Sequence, residues 1–189
     1  MRGFAQTVIW QIALFLIFIL LAGFTAKAQN QDSQIKEIRQ EYTLIHQQLS
    51  VLDTVQKDLE GSSEGSSVTG FYKSGKLLAM KATYYGETGY ITTEYYLENG
   101  NPFFILRQEH RYNRPMYYDK KAAQENNDPE AFDSQKTTVK EDRFYMHNQI
   151  LIRWINSSSV QVAQSSSEYK DKAQELLTET ASLQSQLDN

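Results

Sequence analysis

The spacing of hydrophobic and polar residues changes twice along this chain, from helical to alternating and back. In residues 29–61, Ile35, Ile38, Tyr42, Ile45, Leu49, Leu52, Gln56 and Leu59 fall at alternating three- and four-residue steps, which is one seam of a helix. Asp32 or Ser33 can cap its start and Gly61 can end it. The segment 157–189 is a linker followed by a second such helix, with Ala173, Leu176, Thr180, Leu183 and Leu187 on its seam and a capping box at Ser165-Ser166-Ser167-Glu168. Seams this narrow favour helix–helix contact of the coiled-coil kind.

Between the helices the period is two. The segments near 68–74, 76–85, 90–98, 102–112, 138–147 and 149–156 are dense in Tyr, Phe, Ile and Thr, and are read as six strands. Turn signals at Ser74-Gly75, Gly86 to Gly89, Asn99-Gly100 and His147-Asn148 separate them, so an antiparallel meander is the simplest order. The stretch 61–68, "GSSEGSSV", reads as a flexible link. The stretch 113–135 is too long for a hairpin turn, and its polar centre favours disorder, with Met116-Tyr117-Tyr118 as an apolar end.

The strand segments contain a short repeat. Phe71 to Leu78 aligns without gaps on Phe144 to Leu151, with a looser copy from Tyr96 to Phe103, which places Gly75, Gly100 and Asn148 at one turn position that requires positive φ. The hairpins "GFYKSGKLLAMK" and "EYYLENGNPFF" resemble MORN-like repeats, which implies β-hairpin sheets used in protein contacts. The whole layout resembles a group of small, uncharacterised exported bacterial proteins with a helix, an aromatic-rich sheet ending in "RFY" and "LIRW", and a final helix. That resemblance implies no activity.

The first residues locate the protein. Arg2, an apolar run from Val8 to Gly23 and Ala26-Lys27-Ala28 have the order of a secretory signal peptide over residues 1–28, cleaved after Ala28. Retention as a membrane anchor is the competing reading, because the run is near the shortest that spans a bilayer. Export predicts a periplasmic or secreted protein of one domain, residues 29–189. Loss of Arg2 and Lys27 takes the formal charge from -4 to -6, which argues against nucleic acid or an anionic membrane face as partner. With no cysteine, disulfides and thiolate metal sites are excluded.

Chemistry is sparse. The three histidines, His46, His110 and His147, lie far apart with no paired ligand spacing, so no metal or other cofactor is expected. No nucleophile elbow or phosphate loop is present. A hydrolase could use Glu94, Glu109 or Glu141 with His110 as acid and base. A third class is structural, with the two helix seams joining copies into a homo-oligomer.

Separating strand faces gives the strongest pattern. Arg107, Glu109 and Arg111 share one face of their strand; Tyr90 and Tyr96 flank Glu94 on one face of theirs; Arg143 and Tyr145 follow Glu141 on another. Ile91, Thr93, Tyr95 and Leu97 are read with Phe104, Leu106, Phe144 and Met146 as the core side, leaving the other side a field of Tyr, Arg and Glu. Such a field is either a solvated face of paired charges or a recognition face. The expected fold is α+β: an N-terminal helix, six-stranded meander and C-terminal helix, the helices pairing and covering one sheet face. The expected function is non-enzymatic binding of a protein or glycan through Tyr90, Tyr96, Arg107, Glu109, Arg111, Arg143, Tyr145, Arg153 and Trp154.

Overall fold

The computed structural model describes residues 30–60 and 64–188, so the proposed signal segment lies outside the described residues. The chain divides into two compact units, Met1–Gln40 and Glu41–Asn189, with the boundary inside a helix, α1, described over residues 30–46. In the first unit Ile35 and Ile38 are buried, and Ser33 hydrogen-bonds Glu37 one turn on.

The second unit is built on one antiparallel sheet of seven strands in sequential order. These are β1 (Asp53–Asp58), β2 (Ser66–Lys73), β3 (Lys76–Gly86), β4 (Gly89–Glu98), β5 (Asn101–Arg111), β6 (Thr138–His147) and β7 (Ile150–Ile155). The meander is as expected, but the strand count is seven because β1 replaces the end of the predicted first helix. That helix stops at residue 46, leaving Leu49, Leu52, Gln56 and Leu59 outside it. Val51, Thr54 and Val55 are poor helix formers, and the free edge of β2 offers the same residues a ladder from Asp53↔Tyr72 to Asp58↔Ser67.

A last helix, α3 (Ser167–Asp188), buries Tyr169, Leu176, Thr180, Leu183 and Leu187. Ser166 caps it, its Oγ accepting from the Tyr169 amide at 3.2 Å. The α3 side chains close a core with Val68, Met80, Ala82, Tyr95, Leu97, Ile105, Phe144, Met146 and Trp154. The expectation that the two terminal helices pair over one face is corrected for the last turn of α1. Tyr42 and His46 meet Tyr96, and Tyr42 meets Phe104, on the sheet face opposite α3. Aromatic residues on both sides of β4 and β5 need covering, and no single layer can reach both.

Three hairpins share one construction. Their central pairs, Ser74-Gly75, Asn99-Gly100 and Asn148-Gln149, all have positive φ, the geometry whose twist suits a two-residue hairpin. Each is followed by a one-residue register shift that leaves Leu78, Phe103 and Ile152 as the extra residues of β3, β5 and β7. The repeat is therefore structural, with a correction: Asn148 matches Ser74 and Asn99, and Gln149 takes the place of Gly75 and Gly100.

The long connection between β5 and β6 is folded, against the expectation of disorder. Asp119 caps a short helix, α2 (Lys120–Glu125), by accepting from the Ala122 amide at 2.9 Å. Arg114 donates to both oxygens of Asp128 at 3.2 and 3.3 Å, and Lys136 reaches Glu130 at 2.6 Å. Asn113 donates to the Ala131 carbonyl and accepts from the Asp133 amide, which ties the two ends together.

Candidate functional site

The predicted site residues divide between the two faces of the sheet. Tyr90, Tyr96, Arg143, Tyr145 and Arg153 lie on the face opposite α3, whereas Arg107, Glu109, Arg111 and Trp154 lie on the α3 face. The cause is the extra residue Phe103. A plain hairpin around Asn99-Gly100 would set Phe104 opposite Tyr95; the shift sets it opposite Tyr96 and inverts the rest of β5. Phe104 and Leu106 therefore leave the α3 core, and Arg107 joins that side. The expected division into one core side and one polar side is corrected accordingly.

Four of the predicted residues are engaged in the fold. Tyr96 and Tyr145 are buried, Phe104 packs between them, and Trp154 is buried against Phe144 while donating Nε1 to Asp142 at 2.8 Å. On the α3 face Arg107 meets Glu175 of α3 at 3.7 Å, and Arg111 pairs with Glu109 at 2.9 Å.

The face opposite α3 is banded across the strands. One band is Tyr96, Phe104 and Tyr145, with Arg153 beyond, and Tyr42 of α1 rests on it with ring centroids 4.8 Å from Tyr96 and 4.7 Å from Phe104. The next is Lys81, Glu94, Leu106 and Arg143; then come Thr83, Thr92, Gln108 and Glu141, and then Tyr85, Tyr90, His110 and Val139. The carboxylates of the inner bands are already engaged. Glu94 accepts from Tyr96 and pairs with Lys81 at 3.3 Å, and Glu141 takes Gln108 at 2.9 Å together with Arg143.

A hydrogen-bonded chain joins α1 to this face. The Tyr96 hydroxyl donates to Glu94 Oε2 at 2.8 Å and lies 2.7 Å from His46 Nδ1. A hydroxyl has one proton, so Tyr96 accepts from an Nδ1–H, and the neutral imidazole keeps its lone pair on Nε2. The His46 side chain is 48% exposed, so this nitrogen has access to water. Burial first, and the Glu94 charge next, push ionisation of Tyr96 far above the ordinary range. The phenol therefore remains a neutral relay. His46 and Tyr42 were missed as site residues because a helical seam marks burial without saying what lies opposite.

The outermost band is the accessible one. Tyr85, Tyr90, His110 and Val139 stand directly opposite one another on β3, β4, β5 and β6. Tyr90 and His110 stack at 4.2 Å with planes 7° apart; Tyr85 lies 6.0 Å from Tyr90, and Tyr112 flanks it at 6.1 Å. Phe132 of the long connection meets Tyr112 edge-on at 5.3 Å. Tyr85 is 47% exposed and Val139 50%. Burial, with Lys81 adding to it, holds the His110 pKa below the usual histidine value, so the ring is neutral at pH 7. Gly89 permits the band: a Cβ there would lie 2.0 Å from the His110 carbonyl oxygen, at φ +156°.

Of the predicted residues only Tyr90 belongs to this band. Tyr85 and Val139 carry no sequence signal beyond strand alternation, and only the ladder shows that they share a row. Among the described residues no three His, Asp or Glu converge to hold a metal ion, and no helix is long and apolar enough to cross a membrane. No family model, curated protein or solved structure matches this chain.

Proposed function

We propose that this is an exported, non-enzymatic binding protein of the bacterial envelope, and that the Tyr85–Tyr90–His110–Val139 band with Tyr112 is its contact surface. The supporting observation is the row itself: rings and an exposed valine aligned across four strands, with Tyr85 and Val139 each about half exposed. Partly exposed aromatics grouped in this way supply the large, rigid contact area that carries interface energy. Export rests on the sequence of residues 1–28.

Of the two partner classes, the ring geometry favours a protein. Tyr90 and His110 cover each other's faces, so what they present outward is edges, a hydroxyl and an imidazole nitrogen. Those groups suit the mixed apolar and hydrogen-bonding contacts of a protein interface better than the open ring face on which a sugar stacks.

The test is copurification from the envelope fraction with the intact chain and with Tyr85→Ala combined with Val139→Asp. Both positions are exposed, so the double variant keeps the parent's thermal midpoint and loses the partner. Undiminished capture by the double variant removes the proposal. Saturable binding to immobilised glycans without protein capture would transfer the surface to a carbohydrate partner.

A further inference from the structure

A second concave surface lies on the other side of the sheet, where α3 crosses β3, β4 and β5. The groove is about 850 Å³, with Tyr84 and Arg107 from the strands facing Asp171, Glu175 and Glu179 of α3. The three acids are spaced by four residues and so form one stripe of the helix. Arg107 lies 3.7 Å from Glu175, which also holds Lys172 at 2.6 Å. An acidic helix stripe alone is an ordinary solvated face.

Tyr95 makes this groove different. It is fully buried, and its hydroxyl has no hydrogen-bond partner of acceptable geometry. The groups that act on this phenol are Glu179, Tyr84 and Arg107, all of which line the groove. The hydroxyl is therefore directed at the groove wall. A buried hydroxyl left unbonded is costly, and phenylalanine would fill the same volume without that cost. Burial first and the Glu179 carboxylate next push its ionisation far upward, so it is a neutral hydroxyl that can accept as well as donate.

The lining carries three carboxylates against one guanidinium, so an anion is repelled and a compact cation favoured. Tyr84 adds an aromatic ring to the same wall, and such a ring attracts a cation over its face. We propose that the groove binds a protonated primary amine, with the ammonium between the Glu179 carboxylate and the Tyr95 hydroxyl and beside the Tyr84 ring. An ammonium has three donors, enough to serve both oxygens and one further acceptor. The site lies on the face opposite the aromatic band, so it stands or falls independently of the binding function proposed above.

Calorimetric titration of the full chain decides it, using Nα-acetyl-lysine amide, glucosamine and spermidine as probes for a peptide, amino-sugar or polyamine source. The matched neutral probes are Nε-acetylated lysine amide and N-acetylglucosamine. At least one amine is expected to saturate the protein below about 1 mM, with its acetylated counterpart silent. Glu179→Gln should weaken that binding by roughly tenfold or more. Tyr95→Phe should weaken it while leaving the thermal midpoint of the free protein unchanged or raised. The proposal is overturned if no amine saturates, if acetylated probes bind equally well, or if Glu179→Gln binds as the parent does. A lowered midpoint in free Tyr95→Phe also overturns it, because the hydroxyl would then have a partner without ligand.

Discussion

The Nδ1 atom of His46, on α1, lies 2.7 Å from the Tyr96 hydroxyl on β4, and that hydroxyl donates in turn to Glu94. Residues 50 positions apart are thus coupled through one proton donor. Tyr96→Phe removes both bonds and leaves the part-buried Glu94 carboxylate with one partner fewer, an expected loss of about 1–3 kcal/mol in unfolding stability. Chemical denaturation measures it. His46→Ala should cost less in the Tyr96→Phe background than in the parent; equal costs would show that the two side chains are not coupled.

Gln149 is the one residue among the three matched turns that occupies the second central position without being glycine, at φ 64°. Its side chain is exposed, so little is lost by removing it. Gln149→Gly is expected to raise stability by about 1 kcal/mol through relief of left-handed strain. The same substitution at Asn148 should gain less, because asparagine tolerates that conformation. Thermal melts of the two variants compare them directly.

Gly89 is expected to be intolerant. A methyl group at this position would meet the His110 carbonyl oxygen at 2.0 Å, so Gly89→Ala must push β4 from β5 beside the Tyr90–His110 stack. The expected loss is about 2 kcal/mol or more. Partner capture should fall with it, since the row depends on this close approach. A variant of parental stability would mean that the turn from Gly86 to Gly89 relaxes without cost.

Acid should loosen the connection between β5 and β6 before it affects the sheet. The Glu130 amide and the Arg114 guanidinium hold the Asp128 carboxyl below its ordinary value of 3.8, and Lys136 and Asn113 hold Glu130 below 4.5. Both folded values are depressed, so the stabilisation is complete above the ordinary carboxylate range and is lost as pH falls through the folded values. In an NMR titration the amides of Glu130 and Asp133 should shift below pH 4, while those of β3 and β4 hold. Midpoints at the ordinary carboxylate values would contradict the assignment.

Much of the architecture was legible because it depends on local rules. Alternation identified all six strands from Ser66 onward, and Gly75 and Gly100 marked their turns because those positions need positive φ. The seam of α3 was read correctly, since Leu176, Thr180, Leu183 and Leu187 pack on one continuous layer. The error in the first helix arose where two local rules met. Leu49, Leu52 and Leu59 continue a helical spacing, but Val51, Thr54 and Val55 also suit a strand, and the open edge of β2 decided between them.

The chain by itself determined the meander, the turns and the composition of each strand face, because alternation and backbone freedom act within a few residues. Only the tertiary structure decided which faces look the same way. A single extra residue, Phe103, inverts β5, sends Arg107 to the α3 groove and brings His110 beside Tyr90. Side chains alternate with a period of two, so one inserted residue exchanges the two faces of everything beyond it. Its presence depends on how β4 and β5 pair in space, which strand alternation alone does not record.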